Sequence, residues 1–288
     1  MKAPPFAYVR ARSLPEVFDL LEHHGSGAKI LAGGQSLMPA LNMRLSSPEL
    51  LIDISRLSEQ CGELGSIRVE DNHVHIGALT THTQIGDSAD IRRHLPLLSD
   101  AVEHIAHPAI RNSGTFGGSL AMADPAAEWP ACCVALDAQI VLASNSGTRR
   151  VAARDFFMGL YTTAMTRTEV LTEVVIPISG ADYRHAFLEL ARRRGDYAMV
   201  GVAALAKVAN GSFTDLRLTY FGASDKPVRA KKTSQVFVLK QFSENTLKEG
   251  QDLLASELDP SADLYASAAT KLHLAQVLTA RVIKQLIA

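Results

Sequence analysis

Two short glycine loops constrain this chain more than any other feature: KILAGGQSLMPAL at residues 29–41 and RNSGTFGGSLAMADP at 111–125. A glycine pair lets the backbone approach a ligand closely and turn its amides toward it. A concavity of such amides suits anionic phosphate, because it concentrates positive potential. Gln35 and Ser36 in the first loop, and Thr115 and Ser119 in the second, add side-chain donors. Neither loop reads GxxxxGKS/T, GxGxxG after a strand, or GxSxG. The Walker loop, the Rossmann fingerprint and the nucleophile elbow are therefore excluded. Taken singly, each loop also fits a tight structural turn. Taken together, about eighty residues apart, they fit the two phosphates of a pyrophosphate held from opposite sides.

The segments around the loops read as mixed helix and strand. SLPEVFDLLEHHG predicts a helix opened by Ser13 and closed by Gly25, with Leu14, Val17, Phe18 and Leu21 at helical spacing. AKIL, LLIDIS and HVHIGALT read as strands, and LPLLSDAVEHIAH at 95–107 as an amphipathic helix. Asp124-Pro125 reads as an N-cap followed by proline at the first helical position, with the helix running to about Leu136. AQIVLAS, the NSG turn and TRRVAA form a hairpin, and EVLTEVVIP is a strand ended by proline. From Tyr183 strands come first, with an Asn210-Gly211 hairpin turn, and helices follow at ENTLKEGQDLLASEL and about 260–287. That order predicts a separate α+β unit beginning near 177–182.

Charge and cysteine usage narrow the function classes. With 29 basic and 30 acidic side chains, the chain lacks the basic excess that a nucleic acid or an anionic membrane calls for. It has no apolar run long enough to span a bilayer and no signal-peptide core in its first residues, so the expected location is cytoplasmic. Cys61, Cys132 and Cys133 have no CxxC spacing, and the last two sit in an apolar helical run as small buried side chains. His73 and His75 on one strand face, and His104 and His107 as a helical i, i+3 pair, have metal-ligand spacing. With no cysteine or carboxylate arranged around them, they read as exposed or capping histidines. Trp129 beside Pro130 reads as packing under a helix start. Arg192–Arg194 fits both a solvated strand end and a contact with a partner or cofactor.

The stretches LAGGQSLMPALNMRL, IGALTTHTQI, IRNSGTFGGSLAMADPAAEWPA and RDFFMGLYTTAMTRTEVLTEVVIP resemble the flavin-binding medium subunits of molybdenum hydroxylases. That group includes carbon monoxide dehydrogenase, quinoline 2-oxidoreductase, nicotine and caffeine dehydrogenases and the central domain of xanthine dehydrogenase. The resemblance spans the whole chain. It implies an α+β fold: a p-cresol-methylhydroxylase-type FAD-binding domain over 1–177, with two α/β subdomains that break near 55. A smaller α+β domain of the CO dehydrogenase flavoprotein type follows over 178–288.

Carried over by motif, Ala32, Gly33, Gly34, Gln35 and Ser36, with Leu37 beside them, are the first pyrophosphate loop. Thr115, Gly117, Gly118 and Ser119 are the second, with Phe116 where isoleucine is usual. Asp124 is expected at the ribityl or pyrophosphate region. Glu128, where relatives have aspartate, is expected at a ribityl hydroxyl, and Leu171 and Tyr197 beside the isoalloxazine ring. Arg193 and Asp196 share the last motif without a definite role.

The resemblance further implies partners: a small subunit with two-iron two-sulfur clusters and a large one with the molybdopterin cofactor, in a dimer of three-subunit units. FAD would pass electrons from the clusters to an external acceptor, so no catalytic residue and no metal site is expected in this chain. An N-heteroaromatic substrate of the quinoline type is the expected one, turned over on the large subunit. A carbon monoxide dehydrogenase medium subunit, a stand-alone flavoprotein oxidase and a nucleotide-binding scaffold are the alternatives.

Overall fold

The computed structural model describes residues 2–288. Three sheets follow one another along the chain. The first is parallel, in the order β1-β3-β2, from β1 (Ala7–Arg10), β2 (Ala28–Leu31) and β3 (Leu50–Asp53). The helix Leu14–His24 crosses between β1 and β2. Ser13 caps it by accepting from the Glu16 amide at 3.3 Å, and Gly25, at φ 52°, closes it as the sequence predicts. Val17, Phe18 and Leu21 bury against Leu50 and Ile52 to make a small core of its own.

The second sheet runs β4-β5-β10-β6-β7 and is antiparallel throughout. Its strands are β4 (Ile67–Glu70), β5 (His73–Gly77), β6 (Gln139–Ser144), β7 (Gly147–Ala152) and β10 (Val170–Pro177). A two-stranded ribbon of β8 (Phe157–Gly159) and β9 (Thr162–Thr163) stands beside it. Between β5 and β6 the chain makes a run of short helices, including Pro96–Val102, Phe116–Met122 and Glu128–Ala135. These bury Leu97, Leu98, Phe116, Trp129, Cys132 and Cys133 in the main core.

The third sheet, in the order β11-β12-β13-β14, is antiparallel. It comprises β11 (Tyr183–Leu190), β12 (Val200–Ala209), β13 (Ser212–Phe221) and β14 (Val228–Arg229). The turn Asn210-Gly211 has φ of 51° and 71°, as a tight hairpin requires. Because side chains alternate along a strand, β12 sends Ala203 and Leu205 into the main core and Val202, Ala204 and Ala206 toward the C-terminal helices. A sheet covered on both faces reads as a continuous apolar run, and VGVAALAKVA does.

The helices differ from expectation at several places: Lys231–Phe237 is helical where no helix is expected, and the α-helix expected over ENTLKEGQDLLASEL ends at Leu253. The helix expected over 95–107 is confined to Pro96–Val102, so His104 and His107 are not a helical pair. The last helix begins at Ala268 rather than near 260, capped by Ser267, which accepts from the Thr270 amide at 3.1 Å. A further difference, at Asp124, belongs to the candidate site.

Candidate functional site

The first glycine loop leaves β2 at the carboxyl edge of the parallel sheet and ends in the helix Leu37–Asn42. Gly34 sits at φ 72°, a left-handed backbone that suits glycine. Gln35 Nε2 donates to the Gly33 carbonyl at 3.0 Å and closes the loop on itself. Among the described residues, the amides of Gly33, Gly34, Gln35 and Ser36 have no intramolecular acceptor. A row of uncommitted amides at a turn is a ready anion cradle.

The second loop meets the first through Gly33. A Cβ there would lie 2.1 Å from the Ser113 carbonyl oxygen and 2.9 Å from Gly114 Cα, so the two backbones touch. The helix Phe116–Met122 follows, with Thr115 as N-cap, its Oγ1 accepting from the Gly118 amide at 3.1 Å. Phe116 and Gly117 donate to the carbonyls of Thr80 and Ala78, each at 2.9 Å. Gly117 lies so close to Ala78 that a Cβ would sit 2.5 Å from the alanine Cβ. The first-turn amides are thus committed to β5's extension and to the cap. The second loop therefore keeps one uncommitted amide, that of Thr115, and the half-buried Ser119 hydroxyl, not the row of backbone donors expected of both loops. That asymmetry is not legible in two similar glycine motifs.

His82 and Trp129 lock the second loop from beneath. Trp129 Nε1 donates to His82 Nδ1 at 3.0 Å, and both side chains are buried. Accepting at Nδ1 leaves the proton of the neutral ring on Nε2. The His82 amide donates to the Gly114 carbonyl at 3.0 Å, and a Cβ on Gly114 would lie 2.8 Å from His82 Nε2. Trp129 thus packs under the helix start, as expected. No spacing in the sequence singles out His82.

Burial, with the charge of Arg111, lowers His82 from 6.5 to about 4. Because the folded state resists its protonation, the stability from burying the neutral ring is present above 6.5 and lost as pH falls toward 4. The expected loss is about 3 kcal/mol by pH 4. Urea titrations of wild type and His82→Gln across this range should show a smaller acid-side decline in the variant. Equal declines would assign the acid loss to other groups.

Asp124 does not cap the next helix. Its Oδ1 accepts from the Ala126 amide at 2.9 Å in a local turn, and the Pro125 carbonyl accepts from Gly222 at 2.7 Å. With Pro125 engaged by β13's end, the helix starts at Glu128, with Ala127 at the N-cap. Asp124 is freed to meet the Tyr161 hydroxyl, and burial raises its pKa. Burial, with Asp124's charge, pushes Glu128 up to about 7. Tyr161, at φ 51° on the β8–β9 ribbon and 53% exposed, and Tyr197, 73% exposed, stand at the open side of these acids. The sequence singles out Tyr197 but not Tyr161.

Leu171 is buried in the main core opposite Leu142. It reaches the loops indirectly, since the carbonyl of the neighbouring Thr172 accepts from Ala78, against which Gly117 packs. Leu37 opens the short helix after the first loop. The Arg193 carbonyl closes the 193–196 turn by accepting from Asp196 at 3.1 Å. Arg194 pairs with Glu103 at 3.0 Å and Arg192 stacks over Tyr265. No cluster of three metal-ligand side chains occurs among the described residues, nor any helix long and apolar enough to cross a membrane.

Residues 4–179 match the family described as FAD binding domain in molybdopterin dehydrogenase. Residues 185–286 match the CO dehydrogenase flavoprotein C-terminal domain. The chain is 36% identical to the glyceraldehyde dehydrogenase medium chain of Sulfolobus acidocaldarius, over 99% of both chains. It is 35% identical to the nicotine 6-hydroxylase medium subunit of Paenarthrobacter nicotinovorans, over 98% of both. Among solved structures it superposes on a chain of carbon monoxide dehydrogenase from Hydrogenophaga pseudoflava with a TM-score of 0.95 at 34% identity, covering 99% of this chain and 98% of that one. Quinoline 2-oxidoreductase from Pseudomonas putida 86 gives a TM-score of 0.92 at 36% identity, covering 100% and 98%.

Proposed function

Because this chain belongs to the FAD-binding medium subunits of the molybdenum hydroxylases, we propose that it carries electrons from the two-iron two-sulfur clusters of a small partner subunit to an external acceptor. A large partner would hold the molybdopterin cofactor, and two such three-subunit units would pair in the cytoplasm. We divide the chain into a cofactor-binding domain over 1–177 and a smaller domain over 178–288.

The observation that carries this reading is the row of free amides at Gly33–Ser36, pressed against the second loop at Gly33. It fits a pyrophosphate: among the described residues, four consecutive amides have no intramolecular acceptor, and glycine at 33 keeps the two loop backbones in contact. Ala32 to Leu37 would hold one side of the pyrophosphate. Thr115, Gly117, Gly118 and Ser119 would hold the other, with Ser119 supplying its hydroxyl. Asp124 and Glu128 would take ribityl hydroxyls, and Glu128, raised by burial to about 7, can donate as well as accept whenever it carries its proton. Tyr197 would cover the ring, while Leu171 would support its seat from the core. Bound flavin supplies the redox chemistry; this chain supplies binding, orientation and access.

Purification of the chain from its source under gentle conditions tests the reading. Flavin absorption overlaid by iron–sulfur absorption, with a larger and a smaller chain co-purifying, is the expected result. A flavin spectrum from a lone chain would favour an independent oxidase instead. A colourless chain that bound adenine nucleotides and no flavin would overturn the reading. As a finer test, Gly118→Val places a branched side chain against Thr115 Oγ1, which a Cβ would already approach to 2.7 Å. We expect flavin occupancy to fall at least tenfold while the circular dichroism spectrum stays native. Full occupancy in this variant would displace the second loop from the site.

For the substrate of the complex we favour an N-heteroaromatic ring. Support comes from relatives named for nicotine, caffeine and quinoline. Carbon monoxide is the second reading, favoured by the TM-score of 0.95 to a carbon monoxide dehydrogenase chain. Turnover of quinoline or of carbon monoxide by the co-purified complex separates the two.

A further inference from the structure

The turn that carries Tyr197 is held at both ends by segments that flank the second glycine loop. It follows β11 and closes on itself where the Asp196 amide donates to the Arg193 carbonyl. With so much of its side chain in the open, Tyr197 has little packing of its own to hold it. Its ring goes where its backbone sends it. At the far end of the turn, the Met199 amide donates to the Leu190 carbonyl at 2.8 Å. Gly222 lies against the same residues: a Cβ there would be 2.7 Å from the Met199 carbonyl oxygen and 3.2 Å from that of Ala198. Since the Gly222 amide also donates to the Pro125 carbonyl, this end is tied to the segment that bears Asp124.

At the near end, Gly195 rests on the segment 105–107. A Cβ on Gly195 would lie 2.6 Å from the Ala106 carbonyl oxygen and 3.1 Å from His107 Cε1, so only glycine lets the two backbones touch. The support is itself strained, because Ala106 has a φ of 42°, a left-handed backbone that costs an L residue energy. Arg111 holds it there. Its Nη1 donates to the Ile105 carbonyl at 2.8 Å and to the Ala106 carbonyl at 3.2 Å, and a charged donor makes both bonds stronger than neutral ones.

Arg111 also belongs to the approach to the second loop. It ends the short helix Pro108–Arg111, its amide donates to the His107 carbonyl at 3.0 Å, and the Gly114 amide turns back to the Ile110 carbonyl at 2.7 Å. One guanidinium thus joins the second loop to the seat of the Tyr197 turn. The other polar link between turn and seat, Arg194 with Glu103, is exposed at both partners, and such pairs contribute little. Of the two, the Arg111 clamp decides where the turn sits.

We propose that Arg111 is a positioning residue for the cofactor site: by holding the carbonyls of Ile105 and Ala106 it fixes the seat of Gly195, and through it the place of Tyr197 at the flavin ring. The inference rests on the assignment of Tyr197 to that ring. Arg111 acts through the 105–106 backbone and not by touching the cofactor. Without its two hydrogen bonds the Ala106 peptide is free to leave its left-handed conformation, the carbonyl under Gly195 turns away, and the turn loses its near support. Tyr197 then stands off the ring while both glycine loops keep their own contacts. A cover fixed in one place sets how much of the ring an external acceptor can reach.

Two measurements on the full chain decide the matter. In the flavin-free protein, amide hydrogen exchange across 193–199 should quicken roughly tenfold or more in Arg111→Met, which keeps the length of the side chain and removes its donors; unchanged exchange would overturn the clamp. In the FAD-loaded protein the fluorescence lifetime of the bound flavin reports on Tyr197, because a phenol in contact with the ring quenches its emission and phenylalanine does not. Tyr197→Phe should lengthen that lifetime. Arg111→Met should lengthen it by more than half as much, and should add nothing further when combined with Tyr197→Phe. A wild-type lifetime in Arg111→Met, beside a lengthened one in Tyr197→Phe, would overturn the proposal alone, as would full additivity of the two. Should Arg111→Met lose its flavin, Gly195→Ala presses on the Ala106 carbonyl from the other side and gives the same readout; a wild-type lifetime there counts against the seat. A lifetime that ignored Tyr197→Phe would remove Tyr197 from the ring and the role of Arg111 with it. A wild-type chain that took up no flavin would overturn the functional reading itself.

Discussion

Gly33→Ala is expected to weaken FAD binding by roughly 10- to 100-fold, from an overpacking cost of about 1–3 kcal/mol. The added methyl would lie 2.1 Å from the Ser113 carbonyl oxygen and 2.8 Å from its carbonyl carbon. Both are backbone atoms, so no side chain can swing aside. The loops must move apart, and the row of uncommitted amides from Gly33 to Ser36 is displaced from the second loop. The expected result differs from that of a simple turn glycine. Gly25, for example, has nothing within 4 Å of a Cβ, so substitution there strains only the φ of 52°. Flavin fluorescence quenching on titration with apoprotein measures the change. An unaltered dissociation constant for Gly33→Ala would separate the loop contact from cofactor binding.

Trp129→Ala is expected to carry the largest stability cost of any substitution near the site, about 3–5 kcal/mol, as for other large buried aromatics. Trp129 is fully buried, lies edge-on to Phe116 with centroids 5.3 Å apart, and donates to His82. Its removal leaves a cavity beneath the second loop and an acceptor nitrogen unsatisfied. Trp129→Phe keeps most of the volume and loses the N–H, at an expected cost of about 1–3 kcal/mol. Denaturant titration followed by circular dichroism suits both, since the chain's single tryptophan is the residue removed. A Phe variant as unstable as the Ala variant would make the hydrogen bond, rather than packing, the dominant contribution.

Much of the architecture is legible in local patterns. Ser13 and Gly25 bracket their helix, Asn210-Gly211 makes its hairpin, and Pro177 ends its strand, because these residues act on their own backbone. The glycine loops are legible for the same reason. Features set by distant partners are not. Asp124-Pro125 has the look of a helix start, yet the helix begins at Glu128 because Gly222, nearly a hundred residues away, engages the Pro125 carbonyl. His82 becomes a lock only when Trp129, 47 residues further along the chain, donates to its ring. The two glycine motifs look alike in one dimension and differ in what their amides do, because Ala78 and Thr80 lie beside the second alone.

The two-faced third sheet has a consequence for how the molecule comes apart. Ala203, Leu205 and Phe221 are packed into the core that holds Trp129 and Phe116, while the opposite face of β12 anchors the last helix. Neither half of the chain can release the other without baring apolar surface of its own, so melting should be a single cooperative event. A protease nick in the 178–182 connection should leave two fragments that stay together and fall apart only in denaturant. The segment that bears Asp124 and Glu128 is thus held in place by residues that the chain makes last.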